Sequence, residues 1–217
     1  METIRLKKKD FKDTDNYWKE YIGKQDVSDY NGNIEIESNL GYVRFNSIKA
    51  KGYILAEAGS GIKSGCGIEA GWDIKAGSGI EAGEGIEAGW GIKAGWGIKA
   101  GEGIKAGDGI EAGDGIEAGW GIKAGEGIKA GLSITCKLSL NIAYRIFAGL
   151  VIWRQSNNMP DEDKTISCGK LENGEVCFGI LKETGFSEEK KEIEENNLSG
   201  KEVEVNIDGR IYKAIIN

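Results

Sequence analysis

Histidine is absent from the chain, proline occurs once and cysteine only four times. Without imidazole there is no Ser-His or Cys-His nucleophile pair and no zinc site built on histidine. An all-cysteine zinc site needs paired close spacings, and of Cys66, Cys136, Cys168 and Cys177 only the last two stand near one another. A hairpin turned at Asn173-Gly174 would place those two diagonally on one face, which is marginal for a disulfide, so free structural thiols are expected. No window holds about 18 uninterrupted apolar residues, so no membrane-spanning helix is expected. The early cations Arg5, Lys7, Lys8 and Lys9 are not followed by the apolar run of a secretory signal. These absences lead to the expectation of a cytoplasmic, non-enzymatic protein without cofactor or metal. Abundant Lys, Ile, Asn and Glu with a single proline suggest a low-GC bacterial genome or that of a phage.

Glycine, by contrast, makes up 35 of 217 residues, and most of it lies in one repeat. Between Ile62 and Ile134 isoleucine recurs every six residues, followed by a charged residue, Ala, Gly, a variable residue and Gly. Ser64 and Cys136 replace the alanine, and Asp73 and Ser133 replace the second glycine. In an extended strand Ile and Ala point to one face and the Lys or Glu between them to the other. Gly-x-Gly supplies two residues able to take positive φ, which suits a corner. A helix with that much glycine would lose roughly 1 kcal/mol at each one, and collagen needs glycine every third residue. A short strand plus a corner, repeated, predicts a mainly β protein, a parallel β-solenoid of stacked coils. Burying one Ile contributes roughly 1.5–3 kcal/mol and each Gly costs about 0.5–1 kcal/mol, so one unit cannot fold alone and many stacked units can.

Charge does not decide the number of sides. The residues after each Ile are opposite in sign in six of nine pairs eighteen apart and in seven of ten pairs twelve apart. Three sides are preferred because an Ile–Ala side of six residues fits a small triangular core. Residues 1–47 are read as an N-terminal cap with a helix over Asn16–Ile22 and strands at Ile34–Glu37 and Tyr42–Ile48. Residues 48–153 are the solenoid, 154–164 a linker, and 165–217 a small α+β module. In that module hairpins turn at Asn173-Gly174 and Asp208-Gly209, with a helix from Ser187 to about Asn197 between them. The even-numbered apolar positions from Ile134 to Ile152 predict a last coil or two through which the chain bends, and the run from Ile146 to Trp153 reads as buried strand or an assembly surface.

The phrase Gly71-Trp72-Asp73-Ile74-Lys75-Ala76-Gly77 resembles the repeated strands of bactofilin-like polymer-forming β-helices, over roughly residues 48–152. That resemblance implies an aliphatic core and end-to-end assembly into homo-oligomers. The Gly-x-Gly in nearly every unit departs from it. The left-handed acyltransferase-like helices place a small residue four positions after the aliphatic one. Here it comes two after, so right-handed winding is preferred. The ending Val203–Ile216 is similar to small β-rich tails common in phage and clostridial proteins.

The variable corner position carries the functional signal. It holds Cys66, Trp72, Ser78, Glu84, Trp90, Trp96, Glu102, Asp108, Asp114, Trp120, Glu126 and Leu132. A slot that takes Trp and Asp alike is not a core slot, because a buried unpaired carboxylate is too costly. Exposed Trp on a rigid frame marks an interaction surface; the competing account has each Trp lying flat over a corner to shield the glycine backbone. Trp72, Trp90, Trp96, Trp120, Glu84, Glu102, Asp108, Asp114 and Glu126 are therefore the candidate partner-binding residues. Residues 62–134 hold seven Lys against eleven acids, and the whole chain has a net charge of −7. Such a rod suits a basic groove on a protein, as a nucleic-acid mimic would; direct nucleic-acid binding is disfavoured for want of a basic stripe. Three functions are compatible with these features: a solenoid that presents its corners to a protein partner or to itself, a phage-encoded, anti-CRISPR-like inhibitor docking an acidic face on a nuclease complex of host defence, and a polysaccharide-active β-helix enzyme. The Gly-x-Gly runs are not nucleotide loops, since none opens a helix and no Gly-Lys-Ser/Thr follows.

Overall fold

The computed structural model describes residues 1–14, 16–150, 159–185, 202–207 and 210–215, the side chains of the last two segments excepted. Its strands stack in parallel with an eighteen-residue period, Ile74 on Ile92, Ile80 on Ile98 and Ile86 on Ile104. Three hexads therefore complete one coil, and the section is three-sided. The first face runs through Ile34, Ile54, Ile74, Ile92, Ile110 and Ile128. The second runs through Val43, Ile62, Ile80, Ile98, Ile116 and Ile134, and the third through Ile48, Ile68, Ile86, Ile104, Ile122 and Leu140. From Ile68 to Ala130 each strand has the form Ile-Lys/Glu-Ala with both apolar ends buried, so the core is a set of Ile and Ala columns.

The corner glycines work differently from the expectation. None of them in the repeat has positive φ; among the described residues only Gly41, Gly59, Gly149, Gly174, Gly179 and Gly185 do. What they provide is close approach. A Cβ on Gly89 or Gly113 would stand 2.0 Å from the carbonyl oxygen of the coil below, whereas one on Gly85 or Gly109 would stand 3.4 or 3.3 Å from its neighbour. From Gly83 to Gly125 the first glycine of each corner is thus obligatory, and the second is the place where Asp73 and Ser133 are tolerated.

Both ends extend the stack. The cap expected over residues 1–47 consists of further rungs: Glu2–Leu6 pairs in parallel with Gly32–Ile36, and Gly41–Phe45 with Ser60–Ser64. The helix expected over Asn16–Ile22 is instead a strand, Trp18–Tyr21, parallel to Tyr42–Arg44 and antiparallel to Phe11–Asp13. Tertiary pairing overrides the local helix reading here. Tyr21 packs against Phe11 and Phe45, with ring centroids 5.6 and 5.3 Å away, which closes that end of the core. Thr14 Oγ1 donates to the Trp18 carbonyl, tying the turn into the strand.

At the other end Ser139–Phe147 bends around a corner as expected, pairing with the third face at Leu140 and with the first at Ile146. The hairpin across Asn173-Gly174 does not form. Lys170–Phe178 lies parallel to Ser139–Phe147, and Thr165–Cys168 and Ile180–Glu183 continue the second face. The reason is burial: Ile166 and Cys168 complete columns begun by Ile134 and Cys136, which a free hairpin would leave uncovered. Glu202–Ile207 and Arg210–Ile215 pair antiparallel as expected. The Asp208-Gly209 turn, the helix from Ser187 and residues 154–158 of the linker lie outside the described residues. No helix in the described part is long and apolar enough to cross a membrane.

Candidate interaction surface

Three per coil means that every third corner residue shares an edge of the prism. One edge carries Trp72, Trp90, Asp108, Glu126 and Tyr144, each backbone N–H donating to the carbonyl of the one before, at 2.9–3.2 Å. A second carries Ser78, Trp96, Asp114 and Leu132, and a third Cys66, Glu84, Glu102, Trp120 and Leu138. The nine expected partner-binding residues are therefore divided among three edges and do not converge on one face.

The tryptophans point outward: Trp72 is 36% exposed, Trp90 51%, Trp96 54% and Trp120 53%. Trp72 and Trp90 stack on each other, with centroids 5.5 Å apart and planes within 8°. Trp96 meets Tyr42 edge to face at 6.3 Å. Tyr42 itself lies over Gly61 and Gly79, where a Cβ would collide with its ring or hydroxyl, so glycine here seats a side chain. Burial first, then the Glu81 and Asp114 carboxylates, push the Tyr42 phenol up. On the third face a groove of about 590 Å³ runs between Trp120, Glu102 and Glu84 on one bank and Glu87 and Lys105 on the other.

Faces and corners differ in charge pairing. Along the faces Lys49 pairs with Glu69 (2.5 Å), Lys63 with Glu81 (2.6 Å), Lys105 with Glu87 (2.6 Å) and Lys99 with Glu117 (2.9 Å). Glu111 takes both Lys93 (3.1 Å) and Lys129 (3.3 Å). Burial raises the Glu111 carboxyl, but the two ammonium groups outweigh it and hold the group below its ordinary value. The alternation that the sequence left undecided between twelve and eighteen is thus realised at eighteen.

The thiols are unbonded: Cys136 and Cys168 are buried, Cys66 is half-buried and Cys177 is exposed. Cys168 and Cys177 share no hairpin face, because Lys170–Phe178 runs through Asn173-Gly174 as one strand. Among the described residues no group of three or more potential metal ligands is found. Sequence reasoning missed Tyr144, 67% exposed on the Trp90 edge, and Trp18, which carries Lys63 Nζ 4.8 Å and Arg44 Cζ 5.8 Å from its ring centroid. Tyr144 was legible in principle, since it stands eighteen residues after Glu126. Comparison with protein-family models, curated proteins and solved structures finds no match for this chain. The likeness to polymer-forming β-helices is accordingly one of periodicity.

Proposed function

We propose that the protein is a non-enzymatic scaffold that offers its corner tryptophans and acids, in fixed columns, to a protein partner or to further copies of itself. One observation carries this reading. Every face glutamate of the repeat, Glu69, Glu81, Glu87, Glu111 and Glu117, is paired with a lysine of an adjacent coil. The corner acids Glu84, Glu102, Asp108, Asp114 and Glu126 form no ion pair among the described residues. Charges paired within the rod are already satisfied, and unpaired charges beside exposed indoles are available to a partner. Replacing Trp90 and Trp96 by Ser should leave the β-sheet circular dichroism intact and abolish partner capture; undiminished capture would refute the reading. A single 23.4 kDa species in sizing at high concentration would count against self-assembly.

A second reading draws support from the same acids. Glu84–Glu102 and Asp108–Glu126 are consecutive on their edges and form short acidic rows, and the chain carries −7 overall. Rows of this kind suit docking on the basic groove of a nuclease complex of host defence. Salt-sensitive inhibition of such a nuclease, lost when the four acids become amides, is its test.

A further inference from the structure

The stack of Trp72 on Trp90 runs along the rod, because the two residues occupy the same corner in consecutive coils. Trp72 covers one face of Trp90. The other face is turned toward the next coil, whose corner residue is Asp108, followed by Glu126. Neither acid forms an ion pair among the described residues, and the nearby Lys105 is held by Glu87 at 2.6 Å. An indole face is electrostatically negative, and a carboxylate one coil away deepens that potential, so the slot between them favours a cation. Coils stack about 4.8 Å apart, which leaves room for a thin planar group over the ring once the short Asp108 side chain turns aside.

The molecule satisfies the same demand internally at Trp18. There the neighbouring coils bring Arg44 and Lys63, and both cations lie over the indole. At Trp90 the adjacent coils bring Trp72 on one side and Asp108 on the other, so a cation for its open face comes from outside.

We infer that the Trp90–Asp108 slot receives an arginine side chain of a protein partner. Its guanidinium stacks on the open face of Trp90 and hydrogen-bonds to the Asp108 carboxylate, while Glu126 adds attraction one coil further on. Arginine is selected over lysine because a planar fork both stacks and pairs bidentately. This rests on the corner-binding reading and supplies the chemistry of one of its contacts.

Tetra-arginine, tetra-lysine and tetra-citrulline peptides, titrated into the full-length ¹⁵N-labelled protein, test it. Tetra-arginine is expected to shift the Trp90 indole N–H and the Asp108 amide while leaving Trp120 in place, tetra-lysine to bind several-fold more weakly, and tetra-citrulline not at all. Asp108→Asn should weaken binding roughly threefold, and Trp90→Leu similarly. Asp108→Arg should abolish it, because the new guanidinium caps Trp90 as Lys63 caps Trp18. The corner position already holds Trp, Ser, Asp, Glu, Cys and Leu in this chain, so these variants keep the fold. An unmoved Trp90, equal responses to arginine and lysine, or undiminished binding by Asp108→Arg would overturn the proposal. If partner capture still falls on Trp96→Ser in that event, the corner reading stands and only the slot is lost.

Discussion

Gly101 sits so close to the coil below that a Cβ on it would lie 2.0 Å from the carbonyl oxygen of Gly83. Two residues further on, a Cβ on Gly103 would lie 3.5 Å from the Gly121 carbonyl oxygen, an ordinary contact. Gly101→Ala must therefore push two coils apart, and we expect a loss on the order of 3 kcal/mol, the upper range of overpacking effects. Gly103→Ala should stay within about 1 kcal/mol of the parent, since it also lowers the entropy of the unfolded chain. Urea unfolding of the two variants measures the difference.

Core and surface should separate just as clearly on the strand Ile98–Ala100. Ile98 is buried, and Ile98→Ala is expected to cost about 2–5 kcal/mol. Lys99, on the same strand, pairs with Glu117 while both side chains remain more than half exposed. Lys99→Met should cost less than about 1 kcal/mol. A comparable loss for the two substitutions would mean that the ion-pair rows, and not the isoleucine columns, hold the coils together.

The buried thiols give a labelling order and an alkaline limit. Burial first, and the neighbouring Cys168 second, push the Cys136 thiol up to about 12, and burial pushes Cys168 up to about 11. A thiol reagent at pH 8 should modify Cys177 first, Cys66 more slowly, and Cys136 and Cys168 only on unfolding. Because these two folded-state values are raised, their contribution to stability is complete below the ordinary thiol value of about 9. It is lost as pH rises through about 11 to 12. Cys136→Ala with Cys168→Ala should flatten the decline in melting temperature above pH 9.

Glu111 sets the opposite sign at the acid end. Lys93 and Lys129 outweigh its burial and hold its carboxyl below the ordinary range. Its contribution is therefore present above the ordinary carboxylate value and lost as pH falls through the folded one. Glu111→Gln should reduce the loss of melting temperature between neutral and acid pH, and an unchanged pH profile would show that the shared pair contributes nothing.

The hexad alone conveyed the parallel solenoid, the Ile–Ala core and the outward corners, because each property follows from the two-residue alternation of a strand. The number of sides was not legible in the charges, since alternation at twelve and at eighteen scored almost alike; the decision lies in how many corners close a coil. The ends misled for a related reason. Asn16–Ile22 reads locally as a helix, and Asn173-Gly174 as a hairpin turn, yet both stretches are recruited as rungs by open columns of the stack. The role of glycine was also misjudged, because a sequence shows permissive backbone and not the carbonyl that crowds Gly101. At the corners, outward exposure could be read from the mixture of Trp and Asp, whereas the Trp72–Trp90 stack needed the coil length.

That coil length also decides whether Trp90 and Asp108 are neighbours at all, and a distance measures it. Spin labels at Trp72→Cys and Tyr144→Cys, with Cys66 and Cys177 replaced by Ser, sit on one edge four coils apart if eighteen residues make a coil. Pulsed electron–electron resonance should then give about 19 Å between the labelled positions, from the ordinary spacing of adjacent strands. A separation near 29 Å, six coils of twelve residues at that spacing, would contradict the three-sided prism and the columns built on it.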